Sequence, residues 1–340
     1  MNKQPKDTER WKKIVQSFRE VSITVLADLV ADEFVFGEIA RVSREAPVLI
    51  LKHRERVVVP GGGGNAVMNL ASLGVNVLPV GVVGEDEAGG LLMQHFREHK
   101  ISTSGIQRLK GHTTTTKTRI LAGMSHTSRQ QVVRLDREAE PLPELHPVLL
   151  NLVNAAREYA TASDALLVSD YGYGAATPRL LTFIKSNGCL ENKPITVDSR
   201  YRILEYEGAT AATPNEPEVE EALRIKIGHD NEALFRAGER LMKELGLESL
   251  VITRGRDGMV AFDKNAGPLP VPIHGSDQAV DVTGAGDTVI ATFTAALAAG
   301  ADTASAARLA NFAGGVVVMK RGTATVSAQE LMAAIDGVSS

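Results

Sequence analysis

The sequence predicts an α/β fold, a largely parallel sheet flanked by helices with a small β lid, and three observations carry that prediction. Short apolar runs alternate with segments of helical spacing along most of the chain. Two long stretches, 34–59 and 113–135, break the alternation because they are strand-prone and polar on alternate residues. Glycine-rich turns stand directly before two of the helical segments.

In chain order, residues 1–20 are rich in charge and read as an N-terminal polar extension, a short helix without the unbroken apolar core of a signal peptide. Ile23 to Ala27 is the first strand, Ala66 to Leu73 a helix closed by Gly74, and Val75 to Val83 the next strand. The rhythm continues through Ala165 to Ser169, a helix over Pro178 to Asn187, then Ile195 to Val197, Leu250 to Thr253 and Met259 to Phe262. Residues 21–335 form one domain, with the β lid drawn from about 34–59 and 113–135, where it could exclude water from a site at the sheet's edge or be a plain structural hairpin pair. The tail from Asp336 is expected to fray.

Composition excludes several functions. Basic and acidic residues number 37 and 41, for a net charge of -4, and no basic block suits a nucleic-acid backbone. The apolar run from Thr288 to Ala299 is too short to span a bilayer and ends at Gly300, so no membrane partner is expected. A single cysteine, Cys189, excludes an internal disulfide framework and points to the reducing cytoplasm.

The strongest chemical signal is Asp281-Val-Thr-Gly-Ala-Gly-Asp287, which runs directly into an alanine-rich helical pattern. The N–H groups of Gly284, Ala285 and Gly286 at a helix start form an anion site, and Asp287 sits beside it to accept the proton of an attacking alcohol. Read alone, the same residues also fit an Asp on an ordinary helix after a glycine turn. A second cluster, Pro60-Gly-Gly-Gly-Gly-Asn65, precedes the Ala66 helix, with Asn65 suited to cap its first turn. It lacks the Gly-Lys-Ser/Thr ending of a P-loop, and neither cluster fits a dinucleotide fingerprint, which argues against a nicotinamide oxidoreductase.

Between and after these clusters stand Thr213-Pro-Asn-Glu-Pro-Glu218 and Thr253-Arg-Gly-Arg-Asp-Gly258. Four motifs in this order resemble the ribokinase-like (PfkB) carbohydrate kinases from about Val21 to Glu330, and imply a ribokinase-like fold. Within that family the runs Arg41-Val-Ser-Arg-Glu-Ala-Pro-Val48, Arg134-Leu-Asp136, Ser169-Asp-Tyr-Gly-Tyr-Gly174 and Gly322-Thr-Ala-Thr-Val326 are similar to those of bacterial heptose-7-phosphate kinases.

The resemblance implies an ATP-dependent kinase whose base is Asp287 and whose anion hole is Gly284 to Gly286. It assigns Asp32, Gly61, Gly62, Asn65, Arg41 and Asp170 to the sugar, and Asn215, Thr253, Gly255, Gly258 and Asn311 to ATP. Asn215 and Glu218 would organise Mg²⁺ through water, although the same pair also reads as a helix cap followed by a solvated glutamate. Asp281 and Thr283 match positions that bind a monovalent cation such as K⁺ in some relatives, or simply brace the loop. By the same resemblance the lid pairs two copies into a homodimer.

Two departures concern the acceptor. Tyr173 and Arg200 stand where the heptose kinases have lysine, in Ser-Asp-Tyr-x-Lys-Gly and Asp-Pro-Lys. Arg200, Arg41, Arg44 or Lys117 could serve a sugar's own phosphate instead, or be ordinary surface charges. Acceptors left open are heptose 7-phosphate, another sugar or sugar phosphate, and a nucleoside, the last poorly supported at 4% aromatic content. A catalytically silent binding protein on the same fold is the alternative of another class. The bifunctional heptose enzymes carry a second domain for which 340 residues leave no room, so a stand-alone kinase is expected.

Overall fold

The computed structural model describes residues 4–123, 129–275 and 279–337. The chain runs α1 (Gln4–Ser17), β1 (Ser22–Val42), β2 (Leu49–Gly62), α2 (Gly63–Ser72), β3 (Asn76–Gly84), α3 (Glu87–Glu98), β4 (Ile106–Leu109), β5 (Thr116–Gly123) and β6 (Gln130–Arg137). Then come α4 (Val148–Ala162), β7 (Ala165–Asp170), α5 (Pro178–Lys185), β8 (Ile195–Ser199), β9 (Ala211–Ala212), α6 (Glu216–Leu223) and α7 (Asn231–Leu245). It closes with β10 (Ser249–Thr253), β11 (Met259–Asp263), β12 (Ala266–Val271), α8 (Ala285–Ala298), α9 (Thr303–Val317) and α10 (Ala328–Asp336).

The main sheet has the order β12-β11-β10-β9-β8-β7-β1-β3-β4 and is parallel except where β11 pairs with β10 and β12. Its strands are apolar on both faces, as a sheet covered on both sides requires. On β7, Ala165 and Leu167 enter one core with helices α1, α2, α3, α8, α9 and α10, while Leu166 and Val168 enter the other with α4 to α7.

The strand β1 is far longer than the Ile23 to Ala27 run predicted. Up to Asp28 it pairs with β3 and β7 in the sheet; from Leu29 onward it pairs with β2, and from Ala31 with β5. With β6 beside β5, these strands form the lid in the order β2-β1-β5-β6. The lid therefore begins earlier than 34 and ends later than 59, because one continuous strand serves both sheets and roots the lid at Asp32. Part of the predicted stretch 113–135 lies outside the described residues.

The N-terminal segment is helical as predicted, but it is no mere polar extension. Trp11, Ile14, Val15 and Phe18 are buried in the core, and Trp11 meets the Phe312 ring edge-on at 5.6 Å between centroids. Charged residues on the other face conceal this period in composition alone. At the other end, α10 reaches Asp336 behind a capping box of Ser327 and Glu330. Residues 338–340, where fraying is expected, lie outside the described residues. Because a large-to-small change here removes a packed indole, Trp11→Ala should lower unfolding free energy by about 3 kcal/mol. Urea denaturation followed by circular dichroism checks this; an unchanged midpoint would mean that α1 is dispensable.

Candidate active site

Two helix N-termini meet at the root of the lid. The first helix, α2, begins at Gly63 rather than Ala66, with Gly62 as its N-cap at φ 52°. Asn65 is thus inside the helix and does not cap it. Its side-chain amide instead donates to Asp287 Oδ2 at 3.0 Å and to the Gly284 carbonyl at 3.2 Å. Both amide N–H groups are used on the protein, so the expected contact between Asn65 and a sugar is not available to them.

The orientation of that amide is fixed from a distance. The backbone N–H of Val326 and the Thr288 hydroxyl both donate to Asn69 Oδ1, at 3.2 and 3.1 Å. Asn69 Nδ2 must then face Asn65, and it donates to Asn65 Oδ1 at 3.1 Å. A backbone N–H can only donate, so it sets the direction of the whole relay down to Asp287. Asn69 was not singled out in the sequence; its signal is an amide one turn after Asn65 on an otherwise apolar helix.

The second N-terminus is that of α8. Gly284 is its N-cap at φ 77°, a left-handed conformation suited to glycine, and no side chain caps the first turn. Of the first N–H groups, that of Ala285 donates to the Val282 carbonyl at 3.2 Å, so of the expected trio Gly284 to Gly286 it is not free, while that of Gly286 in the uncapped first turn can meet an anion. Asp287 is buried, and its Oδ1 accepts from the Tyr171 hydroxyl at 2.8 Å. Burial raises its pKa to about 7, with Asp32 adding to the rise and Asn65, Tyr171 and Lys117 opposing it.

Asp32 is buried beside Asp287 and accepts from Arg119 and, at 2.6 Å, from Thr323 Oγ1. Gly61 makes this position possible, because a Cβ there would stand 2.3 Å from Asp32 Oδ2. Asp170 lies at the wall of the site, but Ser199, Arg202, Tyr206 and the N–H of Gly172 all donate to it. It braces the loop after β7 and is not free for a sugar, contrary to expectation. Arg41 is exposed, nine residues along β1 from Asp32, up to about 30 Å away at the rise of a strand. Arg41 lines neither of the two cavities at the α8 N-terminus.

Two adjoining cavities open at the α8 N-terminus. One, of about 220 Å³, is lined by Thr253, Gly255, Gly258, Val289 and Asn311, which brings together four residues expected around ATP. The other, of about 390 Å³, is lined by Tyr171, Asp198, Arg200, Asn215 and Glu218 among others. Gly286, Val282 and Thr253 line both. The Thr213 hydroxyl, in the wall of the second cavity, is buried without a hydrogen-bond partner, so the cavity offers it only what enters.

Asn215 and Glu218 form a capping box on α6, each side chain bonded at 2.9 Å to the other's backbone N–H. The capping reading of this pair therefore holds, and Glu218 also faces the cavity. Burial raises the pKa of Glu218, and burial together with Glu218, Asp287 and Asp170 raises that of Asp198. Asp281 accepts from the N–H groups of Thr283 and Gly322 at 3.0 and 2.9 Å, tying the loop before α8 to the loop before α10. Its carboxylate is engaged in bracing.

The model of the pfkB family carbohydrate kinases matches residues 30–330. The chain belongs to this family. A protein of Trichlorobacter lovleyi named bifunctional protein HldE is 38% identical over 330 residues, 95% of this chain. One of Geobacter sulfurreducens with the same name is 39% identical over 318 residues, 93% of this chain. The chain spans 65% and 63% of the length of these two relatives. Phosphofructokinase-2 from Escherichia coli, solved with potassium, superposes with a TM-score of 0.72 at 16% identity, covering 94% of this chain and 99% of that one. Ribokinase of Arabidopsis thaliana, with ribose and ATP, gives 0.71 at 18% identity, covering 93% and 98%. The pfkB kinase has the ribokinase-like fold, and it is an ATP-dependent sugar kinase by family. Among the described residues no helix is long and apolar enough to cross a membrane.

The packing of the kinase's two helix starts yields a test. A Cβ on Gly284 would stand 2.3 Å from Asn65 Nδ2 and impose a left-handed alanine. Gly284→Ala should lower kcat at least about 100-fold while leaving a folded protein, since small misplacement of a reacting group costs that much. Steady-state kinetics beside circular dichroism measure both.

Proposed function

We propose that the protein transfers the γ-phosphoryl group of ATP to a hydroxyl of a phosphorylated sugar, with D-glycero-D-manno-heptose 7-phosphate as the acceptor and the 1,7-bisphosphate as product. The observation that carries the chemistry is Asp287, a buried carboxylate held on both oxygens beside an uncapped helix N-terminus. It accepts the proton of the acceptor hydroxyl as that oxygen attacks the γ-phosphorus. Gly284 to Gly286 stabilise the charge that develops on the transferring group. The adenine side of ATP occupies the cavity of Thr253, Gly255, Gly258 and Asn311, and its phosphates cross to the second cavity at Gly286. Asp32, Gly61 and Gly62 hold the sugar.

Mg²⁺ fits the second cavity by the chemistry of its donors. Asp198 and Glu218 are hard oxygen ligands whose ionisation is disfavoured until a cation neutralises them. No group of three or more such side chains able to hold a metal occurs among the described residues, so the ion would arrive with ATP and keep phosphate and water ligands. When bound it neutralises charge on the phosphates. Asn215 orients Glu218 from the helix cap.

An acceptor carrying its own phosphate is supported by cations on the lid's inner face. Lys117 is buried on β5 with its ammonium 5.6 Å from the Tyr171 ring centroid. Burial, then Arg200 and Arg134, push its pKa down against the opposing pull of Asp136 and Asp32, and Arg134 is already bonded to Asp136. An incoming phosphate relieves that repulsion. The curated relatives' likeness supports the heptose. In this reading Tyr173, whose hydroxyl donates to Glu138, belongs to the loop, and Arg200 replaces a lysine charge. A cytoplasmic homodimer is proposed as well, joined through apolar residues exposed on the lid, Val42, Val48, Leu49, Val133 and Leu135.

A panel of heptose 7-phosphate, fructose 6-phosphate, ribose, fructose and adenosine with MgATP, followed by ADP release, tests the acceptor. Selective turnover of the heptose phosphate is expected, and Lys117→Met should raise its KM about tenfold or more without changing the KM of ATP. Asp287→Asn should lower kcat about 10³-fold; retention of activity would refute the base. Since Asp287 acts as the anion, kcat/KM should fall with decreasing pH through about 7, not through the ordinary carboxylate range. Light scattering at micromolar concentration should give twice the chain's 36.3 kDa, and a monomer would contradict the dimer.

A further inference from the structure

We propose that Tyr171 is the positioning residue of the phosphoryl-transfer base, holding one carboxylate oxygen of Asp287 while Asn65 holds the other. The inference rests on the reading of Asp287 as the base. The phenol donates to Oδ1 at 2.8 Å and the amide to Oδ2 at 3.0 Å. Donors on both oxygens fix the plane of the carboxylate and still leave a lone pair on each for the acceptor hydroxyl.

Tyr171 is itself held through its backbone and on its ring. The Tyr171 backbone N–H donates to Asp28 Oδ2 at 2.9 Å, and the same carboxylate collects the N–H groups of Tyr173, Ala175 and Ala176. Lys117 from the lid stands over the ring. The backbone of Gly62 packs so close that a Cβ there would stand 3.2 Å from Tyr171 Cε2. Tyr171 thus links the lid, the sugar-side glycines and the base in one contact.

The phenol is a permanent donor. Burial, then Asp287 and Asp198, push its own ionisation well above the usual range. The charged and titratable groups facing Asp287 are Asp32 from β1, Lys117 from β5, Tyr171 after β7 and Asp198 from β8. The two carboxylates disfavour its ionisation; Lys117 and the Tyr171 hydrogen bond favour it. Removing the donor therefore moves the base's pKa upward.

Tyr171→Phe in the full chain, assayed with MgATP and the panel acceptor of highest kcat/KM, tests this. Expected are a kcat lowered about 30-fold near pH 7, an acceptor KM changed less than about threefold, and an acid limb moved up by about one pH unit, so that activity partly returns near pH 9. An unmoved limb, or an equal loss at every pH, overturns the proposal. Should Tyr171→Phe fail to fold, replacing the five tyrosines by 3-fluorotyrosine strengthens the donor and must move the limb down; a limb that stays overturns the proposal. The two readings fail separately: an active Asp287→Asn removes the base, whereas an inactive Asp287→Asn beside an unaltered Tyr171→Phe removes only Tyr171.

Discussion

Asp287 must ionise in a place that opposes ionisation, and much of the surrounding structure exists to let it do so. Burial favours the protonated acid, and Asp32 adds like charge. Against this stand the Asn65 amide, the Tyr171 phenol and the N-terminal dipole of α8. The balance leaves the carboxylate near neutral pH, where a general base is most effective. It also costs stability: the folded chain keeps a proton on Asp287 up to about pH 7 that the unfolded chain loses near 4. This group's contribution accordingly falls as pH rises between those values. Functional sites commonly retain such strain.

Those donors depend on distant parts of the chain. The Asn65 amide takes its direction from Val326, which precedes α10, through Asn69. Tyr171 takes its place from Asp28, the last residue of β1 to pair within the main sheet, where β1 turns from sheet strand to lid strand. One strand thus carries both the anchor of the base's partner and, four residues on, the carboxylate Asp32 beneath the lid. The lid and the anchor of the base's partner are thus parts of one strand.

The largely parallel sheet, the alternation of strands and helices along the chain, and the residues of both glycine turns were legible in the sequence because period and glycine placement are local properties. The extent of β1 was not, since a strand that leaves one sheet for another shows no break in pattern. The core role of Trp11 was masked by charged neighbours. Roles that depend on long-range pairing were the least legible: Asn65 reads as a cap, Asp170 as a sugar ligand, and only the fold shows their hydrogen bonds already taken. Tyr171 sat within a run noted for family likeness and Asp198 within one noted for its departure, but nothing local distinguishes them from their neighbours.

The most direct test of the account is a carbon NMR titration of the aspartate carboxyl groups, with Asp287→Asn as the assignment. One signal, absent from the variant, should titrate with a midpoint near 7, well clear of the surface aspartates. A midpoint near 4 for Asp287 would contradict the account, since the carboxylate would then be an ordinary anion at the end of a helix.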